Sequence, residues 1–474
     1  MIKKTVDHVG HMKASTDKVP LRGDMTRTIK ITFLGAGSGF APKVLNDIMM
    51  IDSNKGGTIA LVDIDAKRLK IMKDYIATLI VKYNYRGWNV VASTNRKQVL
   101  EGTDYIINCI EVSGTACVKH DNDIPLSYGI DQCIGDTIGP GGLFKALRTV
   151  PEWLNILRDI QDICPNALVL NYTNPMSIMC LAAGRVTPNV QVVGLCHSVQ
   201  GSSAGLAKRA GVDIKEVEWD CAGINHLAWF TKFKHKGKDL YPLLMKYAEK
   251  DLAGNFVNEN DTHDLVRKDM MLHFGAYITE SSGHLSEYLP YYRKRKDLMK
   301  KYMGPNYNGE SGFYSRNWPQ WRINRDKQLQ EYAKGTKPFD CARTWEYASW
   351  IIEAREKDAP FRIHGNVMNK KNDAGPLIAN LAHDGVVEVA CMIDRNGINP
   401  TIYGKLPPQM AAICQSNMNM YDLAATSAIN KDIGAAIHSL MLDPLTAAIC
   451  SPKEIKEMTL KMFKAEKEYL KGFK

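Results

Sequence analysis

The first two hundred residues alternate between short apolar runs and longer stretches with helical spacing. Lys30-Ile-Thr-Phe-Leu34 is a β-branched apolar run that ends in glycines and leads into Val44, Leu45, Ile48 and Met49, which share one helical face. A second strand is predicted at Thr58–Asp63, a helix around Arg68–Val81, and strands near Asn89–Ala92 and Tyr105–Cys109. A helix near Leu143–Ile163, a strand at Ala167–Leu170, a helix after Pro175 and a strand at Val190–Leu195 continue the series. Such alternation predicts an α/β fold of Rossmann type, a mostly parallel sheet with right-handed crossovers and helices on both faces.

Beyond about residue 212 the texture changes. Residues 216–235 read as a pair of extended segments, helices dominate from Tyr241 onward, and Val386–Cys391 is a late strand before the turn Asp394–Gly397. The expected organisation is an N-terminal extension over 1–28, a Rossmann-type domain over 29–212 and a C-terminal α+β domain, rich in helices, over 213–474. The extension, with His8, His11 and little periodicity, reads as solvated.

Composition narrows the class. Apolar residues make up 45% and charged residues 24% of 474, the profile of a globular chain rather than a disordered, collagenous or coiled-coil one. No apolar run reaches the roughly 18 to 20 residues a membrane span needs, and the N-terminus lacks a secretion-signal core, so a cytoplasmic protein without membrane contacts is expected. The net charge of +10 comes without basic tracts interleaved with aromatics. Scattered lysines and phosphate pockets account for it, and no nucleic-acid partner is expected. Eleven cysteines without tight spacing argue against a disulfide framework and for a reducing compartment.

The turn Gly35-Ala-Gly-Ser-Gly39 offers the first chemistry. Gly35, Gly37 and Gly39 permit a sharp strand-to-helix turn, and backbone N–H groups, that of Ser38 among them, can approach a pyrophosphate at the helix N-terminus. The spacing is compressed relative to G-x-G-x-x-G, with Phe40 at the third glycine's place. Asp63 closes the second strand, where a carboxylate accepts from ribose hydroxyls; Asp65 is its nearby substitute. An acidic residue there favours NAD over NADP. The alternative is a glycine turn of purely structural use, with Asp63 capping a helix.

Polar groups then gather where strands end, the place where open α/β sheets bind ligands. Asn171-Tyr-Thr-Asn-Pro175, Cys196-His-Ser-Val-Gln200 and Gly223-Ile-Asn-His226 each follow a predicted strand and can face one cleft. Cys196 and His226 can form a divalent metal site with open positions, or be a buried thiol and a cap. Asp136, in Gly135-Asp-Thr-Ile-Gly-Pro-Gly-Gly142, can grip substrate hydroxyls or cap the helix that follows. Thr279-Glu-Ser-Ser-Gly-His284 to Tyr288 supplies further polar groups.

Taken together these segments resemble glycoside hydrolase family 4, the NAD- and Mn-dependent glycosidases, and within it the branch of melibiase-type α-galactosidases. The resemblance runs from about Lys30 to Asp443 and rests on the glycine turn, Ile-Gly-Asp136-Thr, Asn171-Tyr-Thr-Asn-Pro175, Gly-Leu-Cys196-His-Ser-Val-Gln-Gly201, Cys-Ala-Gly-Ile-Asn-His226, Thr279-Glu-Ser-Ser-x-His284-x-x-Glu-Tyr288, Gly365-Asn-Val and Asn396-Gly-Ile-x-Pro-Thr401. It implies a small α-glycoside as substrate, NAD and Mn²⁺ as cofactors, and a homodimer or homotetramer. The implied reaction oxidises the sugar at C3, with Cys196 and His226 holding the metal that polarises the new carbonyl. Removal of the acidified C2 proton expels the glycosidic oxygen, water adds at C1, and the hydride returns.

By the same resemblance His197 is the proton donor, and Asp136 and Asn174 bind sugar hydroxyls. The C2 base has no obvious equivalent; His284 and Tyr288 are the candidates and Glu280 a third. Cys-His-Ser-Val resembles the branch acting on unphosphorylated α-galactosides but also relatives cleaving α-linked uronic acids. In that case Tyr291-Tyr-Arg-Lys-Arg-Lys296, otherwise a solvated helical face, offers a cation to the carboxylate. A net NAD-dependent dehydrogenase is the alternative from another class. Manganese comes from the resemblance, since a Cys/His pair by itself prefers Zn²⁺ or Cu²⁺.

Overall fold

Six strands, Ile29–Leu34 (β1), Gly57–Val62 (β2), Trp88–Ser93 (β3), Tyr105–Asn108 (β4), Leu168–Asn171 (β5) and Val192–Leu195 (β6), pair in parallel in the order β3-β2-β1-β4-β5-β6. β4 and β5 are buried along their whole length because helices cover both faces, which is why they read as uninterrupted apolar runs. The helices are α1 (Ala41–Met49), α2 (Ala66–Lys82), α3 (Val118–Leu126), α4 (Gly139–Ile163), α5 (Met176–Val186) and α6 (Ser198–Arg209). Pro42 pre-sets the first turn of α1, and the Asp65 carboxylate caps α2 by accepting from the N–H groups of Lys67 and Arg68 at 3.0 and 3.1 Å. These features come from a computed structural model that describes residues 20–257, 262–337, 342–370 and 375–474. The α/β class predicted from the alternation is the one observed.

The second half of the chain does not build a separate sheet. Val217–Ile224 (β7), Leu227–His235 (β8), Lys238–Asp239 (β9), Tyr277–Ile278 (β10), Phe361–Met368 (β11), Val386–Asp394 (β12) and Gly397–Pro400 (β13) all join the first. From β6 the order runs on through β11, β12, β7, β8 and β10, each pair antiparallel, with β13 and β9 off the path on β12 and β8. The seam is β11 on β6, where Asn366 faces Gly194 and Gly365 faces Leu195. A Cβ on Gly194 would stand 2.4 Å from the Met176 sulfur and 2.9 Å from the Asn366 Cβ, so only glycine lets the two strands and α5 close at this point. The Asn366 amide then donates to the Gly194 carbonyl at 3.3 Å and to the Glu388 carboxylate at 3.2 Å.

Two expectations need correction. The solvated extension stops short of residue 28. Residues 1–19, His8 and His11 among them, lie outside the described residues, but Met25 is fully buried and the Leu21 N–H donates to Glu353 at 3.0 Å. Arg27 bridges Asp104 and Glu356 at 2.6 Å each, so this stretch is clamped to the body of the protein. The tract 291–296 is not a solvated helical face either: helix begins only at Lys296, and Arg293 is buried against Asp131 and the Gly309 carbonyl. Among the described residues no helix is long and apolar enough to cross a membrane, and no cysteine is disulfide-bonded.

Glu388 on β12 generates a stability prediction. Its side chain is fully buried at the seam, and burial, opposed by the Asn366 hydrogen bond and assisted by Glu280, pushes its carboxyl up to about 8. A raised carboxyl binds its proton more tightly when folded, so its contribution to stability is full below the ordinary carboxyl range and is lost as pH rises through about 8. Glu388→Gln, which mimics the protonated form, should therefore gain stability relative to wild type as pH rises from about 5 to about 8, with a slope of at most about 1.4 kcal/mol per pH unit. Denaturant midpoints of both proteins across that range check it; a pH-independent difference contradicts it.

Candidate active site

Every polar group singled out at a strand end arrives at the C-terminal edge of the parallel sheet or on the antiparallel strands joined to it. Asn174 follows β5, Cys196 follows β6, His226 sits in the tight turn between β7 and β8, and Glu280 follows β10. With Asp136, His197 and His284 they line one cleft of about 400 Å³. His226 and Glu280 both have positive φ, 63° and 71°, a conformation that costs non-glycine residues free energy and persists where the surrounding fold imposes it.

At one end of the cleft the Cys196 sulfur, a His226 ring nitrogen and a Glu280 carboxylate oxygen lie within 4.8 Å of one another. His226 Nε2 is 3.9 Å from Glu280 Oε2, while its Nδ1 is 3.5 Å from the Tyr288 hydroxyl. Tyr288 is buried behind His226 and does not line the cleft; it occupies Nδ1 and leaves Nε2 for the carboxylate side. Burial, more than any neighbouring charge, holds His226 down at about 4, so the ring is neutral, the form that ligates metals. Burial, reinforced by Glu280 and Glu388, pushes the Cys196 thiol well up; a divalent cation beside it would stabilise the thiolate. One thiol, one neutral imidazole and one carboxylate make a three-donor set that fits such a cation.

The imidazoles of His284 and His197 have carboxylate neighbours. His284, in the helix Ser282–Glu287 capped by Ser281, places Nδ1 3.3 Å from Glu280 Oε1 and 3.1 Å from the Ser281 hydroxyl, with its ring edge-on to His226 at 4.6 Å. His197 stands at the start of α6 with Nδ1 3.6 Å from the buried carboxylate of Glu346, itself 3.6 Å from the Lys43 ammonium. Burial acts to lower the His197 imidazole, but the carboxylates of Glu346 and Glu280 together hold the ring above its ordinary value.

The floor is built on Asp136. Its Oδ2 is 3.4 Å from both the Lys145 ammonium and the Asn174 amide, whereas Oδ1 is buried without a hydrogen bond from the described residues. Such an orphan acceptor beside a cleft suits a ligand hydroxyl. Asp136 does not cap α4, which starts at Gly139 without a side-chain cap. Lys145 is the one lysine or arginine lining this cleft among the described residues; it lies 3.1 Å from Glu111 and over the Trp318 ring at 5.1 Å.

A second cleft, of about 450 Å³, opens from the first past Ser38, Cys109, Glu111 and Trp318 and runs over the glycine turn. Gly35 has φ +77°, and a Cβ there would meet the Cys109 carbonyl at 2.4 Å. The Asp63 carboxylate accepts from the Gly37 N–H at 2.7 Å and the Asp65 N–H at 2.9 Å, which fixes the turn against the end of β2 and leaves lone pairs for further donors. The cap of α2 is Asp65, so Asp63 is not used as one. Ile64, beside it, is 86% exposed and lines the same cleft, an apolar surface suited to a base ring. These features fit a dinucleotide.

The sequence offers Glu280 only as a candidate base and gives no sign of Glu111, Lys145, Glu346 or the helix Phe313–Ala333, whose Trp318 lines both clefts. Glu280 follows a two-residue strand, too short to read, and the other three acquire meaning only through neighbours far away in the chain. Neither arginine of the tract 291–296 lines the cleft: Arg293 is held inside the protein and Arg295 pairs with Asp297 at the surface.

The chain is similar to known proteins along most of its length. The family model described as family 4 glycosyl hydrolase matches residues 30–212, and that of the family 4 glycosyl hydrolase C-terminal domain matches 221–446. An α-galactosidase of Bacillus subtilis is 38% identical over 94% of this chain and 100% of its own length, and one of Rhizobium meliloti is 36% identical over 94% and 89%. An α-galacturonidase of Thermoanaerobacter italicus is 27% identical over 95% and 99%. Among solved structures, LplD of Bacillus subtilis superimposes with a TM-score of 0.79 at 25% identity, covering 92% of this chain and 99% of that one. A 6-phospho-α-glucosidase from gut microorganisms, solved with NAD and Mn²⁺, gives 0.76 at 20% identity, covering 94% and 99%. The two family models together span most of the chain, and on that ground the protein belongs to glycosyl hydrolase family 4.

Proposed function

We propose that the protein hydrolyses α-galactosides with NAD⁺ and a divalent metal, Mn²⁺ in the family reading, by oxidation at C3 and elimination across C1 and C2. The observation that carries this is the three-donor cluster Cys196, His226 and Glu280 at the end of a cleft continuous with a dinucleotide-type glycine turn. When bound, the dinucleotide supplies reversible oxidation at C3 and the metal supplies Lewis acidity toward the carbonyl formed there. Gly35, Gly37, Ser38 and Gly39 shape a turn open to the cofactor's phosphates, the N–H groups of Gly35, Gly37 and Ser38 being used by Val62, Asp63 and Gly35, and Asp63 takes the ribose.

The remaining work falls to side chains of the cleft. Asp136, through its orphan Oδ1, and Asn174 hold sugar hydroxyls. His197 delivers a proton to the departing glycosidic oxygen, with Glu346 on its Nδ1 side. His284 takes the C2 proton; Glu280 and Ser281 lie on its Nδ1 side, which leaves Nε2 as the basic nitrogen. Tyr288, being behind His226, orients that ligand rather than touching the sugar. Residues 29–212 thus carry the glycine turn together with Asp136, Asn174, Cys196 and His197, and 213–474 carry His226, Glu280, His284 and the contacts of a homodimer or homotetramer. Retention of Cys196 as a ligand suits the reducing cytoplasm.

The charge of the cleft favours a neutral sugar. Lys145 is already bracketed by Glu111 and Asp136, and no arginine lines the cleft among the described residues, so neither a phosphate nor a uronic carboxylate has a dedicated cation. The second reading, an α-galacturonidase, rests on Lys145 turning to a substrate carboxylate and on the related α-galacturonidases.

Cleavage of nitrophenyl α-galactoside should require NAD⁺, metal and thiol together, and omission of any one should abolish it; nitrophenyl α-galacturonide should turn over poorly. Steady NADH accumulation at 340 nm would instead mark a net dehydrogenase. Cys196→Ser and Glu280→Gln should each cut turnover below roughly one hundredth of wild type at fixed metal, with part of the loss in Glu280→Gln recovered at higher metal concentration. Turnover in D₂O should place deuterium at C2 of the product; mass spectrometry finding none would contradict elimination.

A further inference from the structure

We propose that the helix Phe313–Ala333 is a phosphate clamp for the dinucleotide, with Arg322 and Arg325 gripping the pyrophosphate from the side opposite the glycine turn. The inference rests on the NAD reading above and concerns residues outside the glycine turn.

Trp318, Trp321, Arg322 and Arg325 recur at spacings of three and four, so they share one face of the helix, and all four line the cleft that runs over Gly35 and Asp63. This helix comes from the C-terminal half of the chain yet packs on α2 of the dinucleotide half. Both arginines rest directly on glycines of the two turns that border the cleft. A Cβ on Gly39 would stand 2.9 Å from Arg325 Cγ, and one on Gly114, in the turn after β4, would stand 3.0 Å from Arg322 Nη1. A side chain at either place would push the guanidinium off the turn.

Three arginines and three carboxylates, Asp63, Asp65 and Glu111, line the cleft, and the pairing of these charges points to an anion. Arg68, the third arginine of the cleft, is neutralised by Asp326 through contacts of 2.7 and 3.2 Å. Arg325 donates at 3.1 Å to the Gln328 amide oxygen, a neutral partner. Arg322 is half-buried and makes no hydrogen bond or ion pair with the described residues; burial, and then the charge of Arg68, hold it below its ordinary value. Two guanidinium groups without an ion-pair partner among the described residues, one resting on the glycine turn and one on the turn after β4, match a ligand with two adjacent phosphates. A guanidinium left unpaired in a half-buried place is costly until an anion arrives. The cofactor is then held by both halves of the chain, and the C-terminal half must be docked before the dinucleotide binds tightly.

The test is isothermal titration of NAD⁺, NADP⁺, ADP-ribose and adenosine into the metal-free full chain, for wild type, Arg322→Gln, Arg325→Gln and Arg322→Lys. The clamp predicts that each glutamine variant weakens NAD⁺ and ADP-ribose about tenfold or more and leaves adenosine within twofold. The salt dependence of NAD⁺ binding should become shallower in the glutamine variants, and Arg322→Lys should recover part of the loss. Equal losses for NAD⁺ and adenosine would reveal a merely structural role and overturn the proposal, as would NAD⁺ affinities within twofold of wild type in both glutamine variants. Loss confined to NADP⁺ would assign the arginines to a 2′-phosphate and likewise overturn it. If wild type binds adenosine and ADP-ribose but the glutamine variants match it, the clamp alone fails; if wild type binds none of the four, the cofactor reading fails with it.

Discussion

The pairing of β11 with β6 is the contact on which the rest of the structure depends. It is short, with Gly365 opposite Leu195 and Asn366 opposite Gly194, but Cys196 follows directly on β6, whereas His226 and Glu280 are carried by strands on the far side of β11 and β12. Without this seam the dinucleotide half would present a single thiol at the end of β6 and the other half an imidazole and a carboxylate with no sulfur near them. The seam is stabilised by side-chain hydrogen bonds of Asn366 to Gly194 and Glu388, in a place where a Cβ on residue 194 would prevent closure. A small-residue contact therefore sets the position of every donor in the cluster.

What the seam assembles is a set of groups whose burial works against charge. Cys196 is pushed toward the thiol, His226 toward the neutral ring and Glu388 toward the acid form, all chiefly through desolvation. Such a cavity is costly for isolated charges and selective for a cation that several donors share. Elsewhere in the cleft opposite charges stand side by side, Lys145 between Glu111 and Asp136, and Glu346 near both His197 and Lys43. On the proposed function the first region would hold a metal and the second would handle protons and hydroxyls.

Much of this was legible from residues alone. β4 and β5 declare themselves because they are buried on both faces, and Asn174 and Cys196 sit where parallel strands end, as the rule for open sheets requires, whereas His226 sits in the turn between antiparallel β7 and β8. β11 was not legible, because Arg362, His364, Gly365 and Asn366 interrupt its apolar pattern, although the seam needs Gly365 and Asn366. Glu280 is not legible as a donor to metal, since nothing local in Thr279-Glu-Ser-Ser tells which way the carboxylate turns. Tyr288 lies behind His226 and outside the cleft lining, a placement that the spacing of residues 279–288 does not reveal. The helix Phe313–Ala333, polar around most of its surface, looks solvated by periodicity, yet it covers the glycine turn with tryptophan and arginine.

The most direct test of the central claim, that the two halves meet to make one metal site beside one dinucleotide site, is anomalous diffraction at the manganese edge from crystals grown with NAD⁺ and Mn²⁺. The account predicts a single strong peak within bonding distance of the Cys196 sulfur, a His226 ring nitrogen and the Glu280 carboxylate, with the dinucleotide along Gly35–Gly39. A manganese peak elsewhere, or a metal bound without Cys196 and His226, would contradict it.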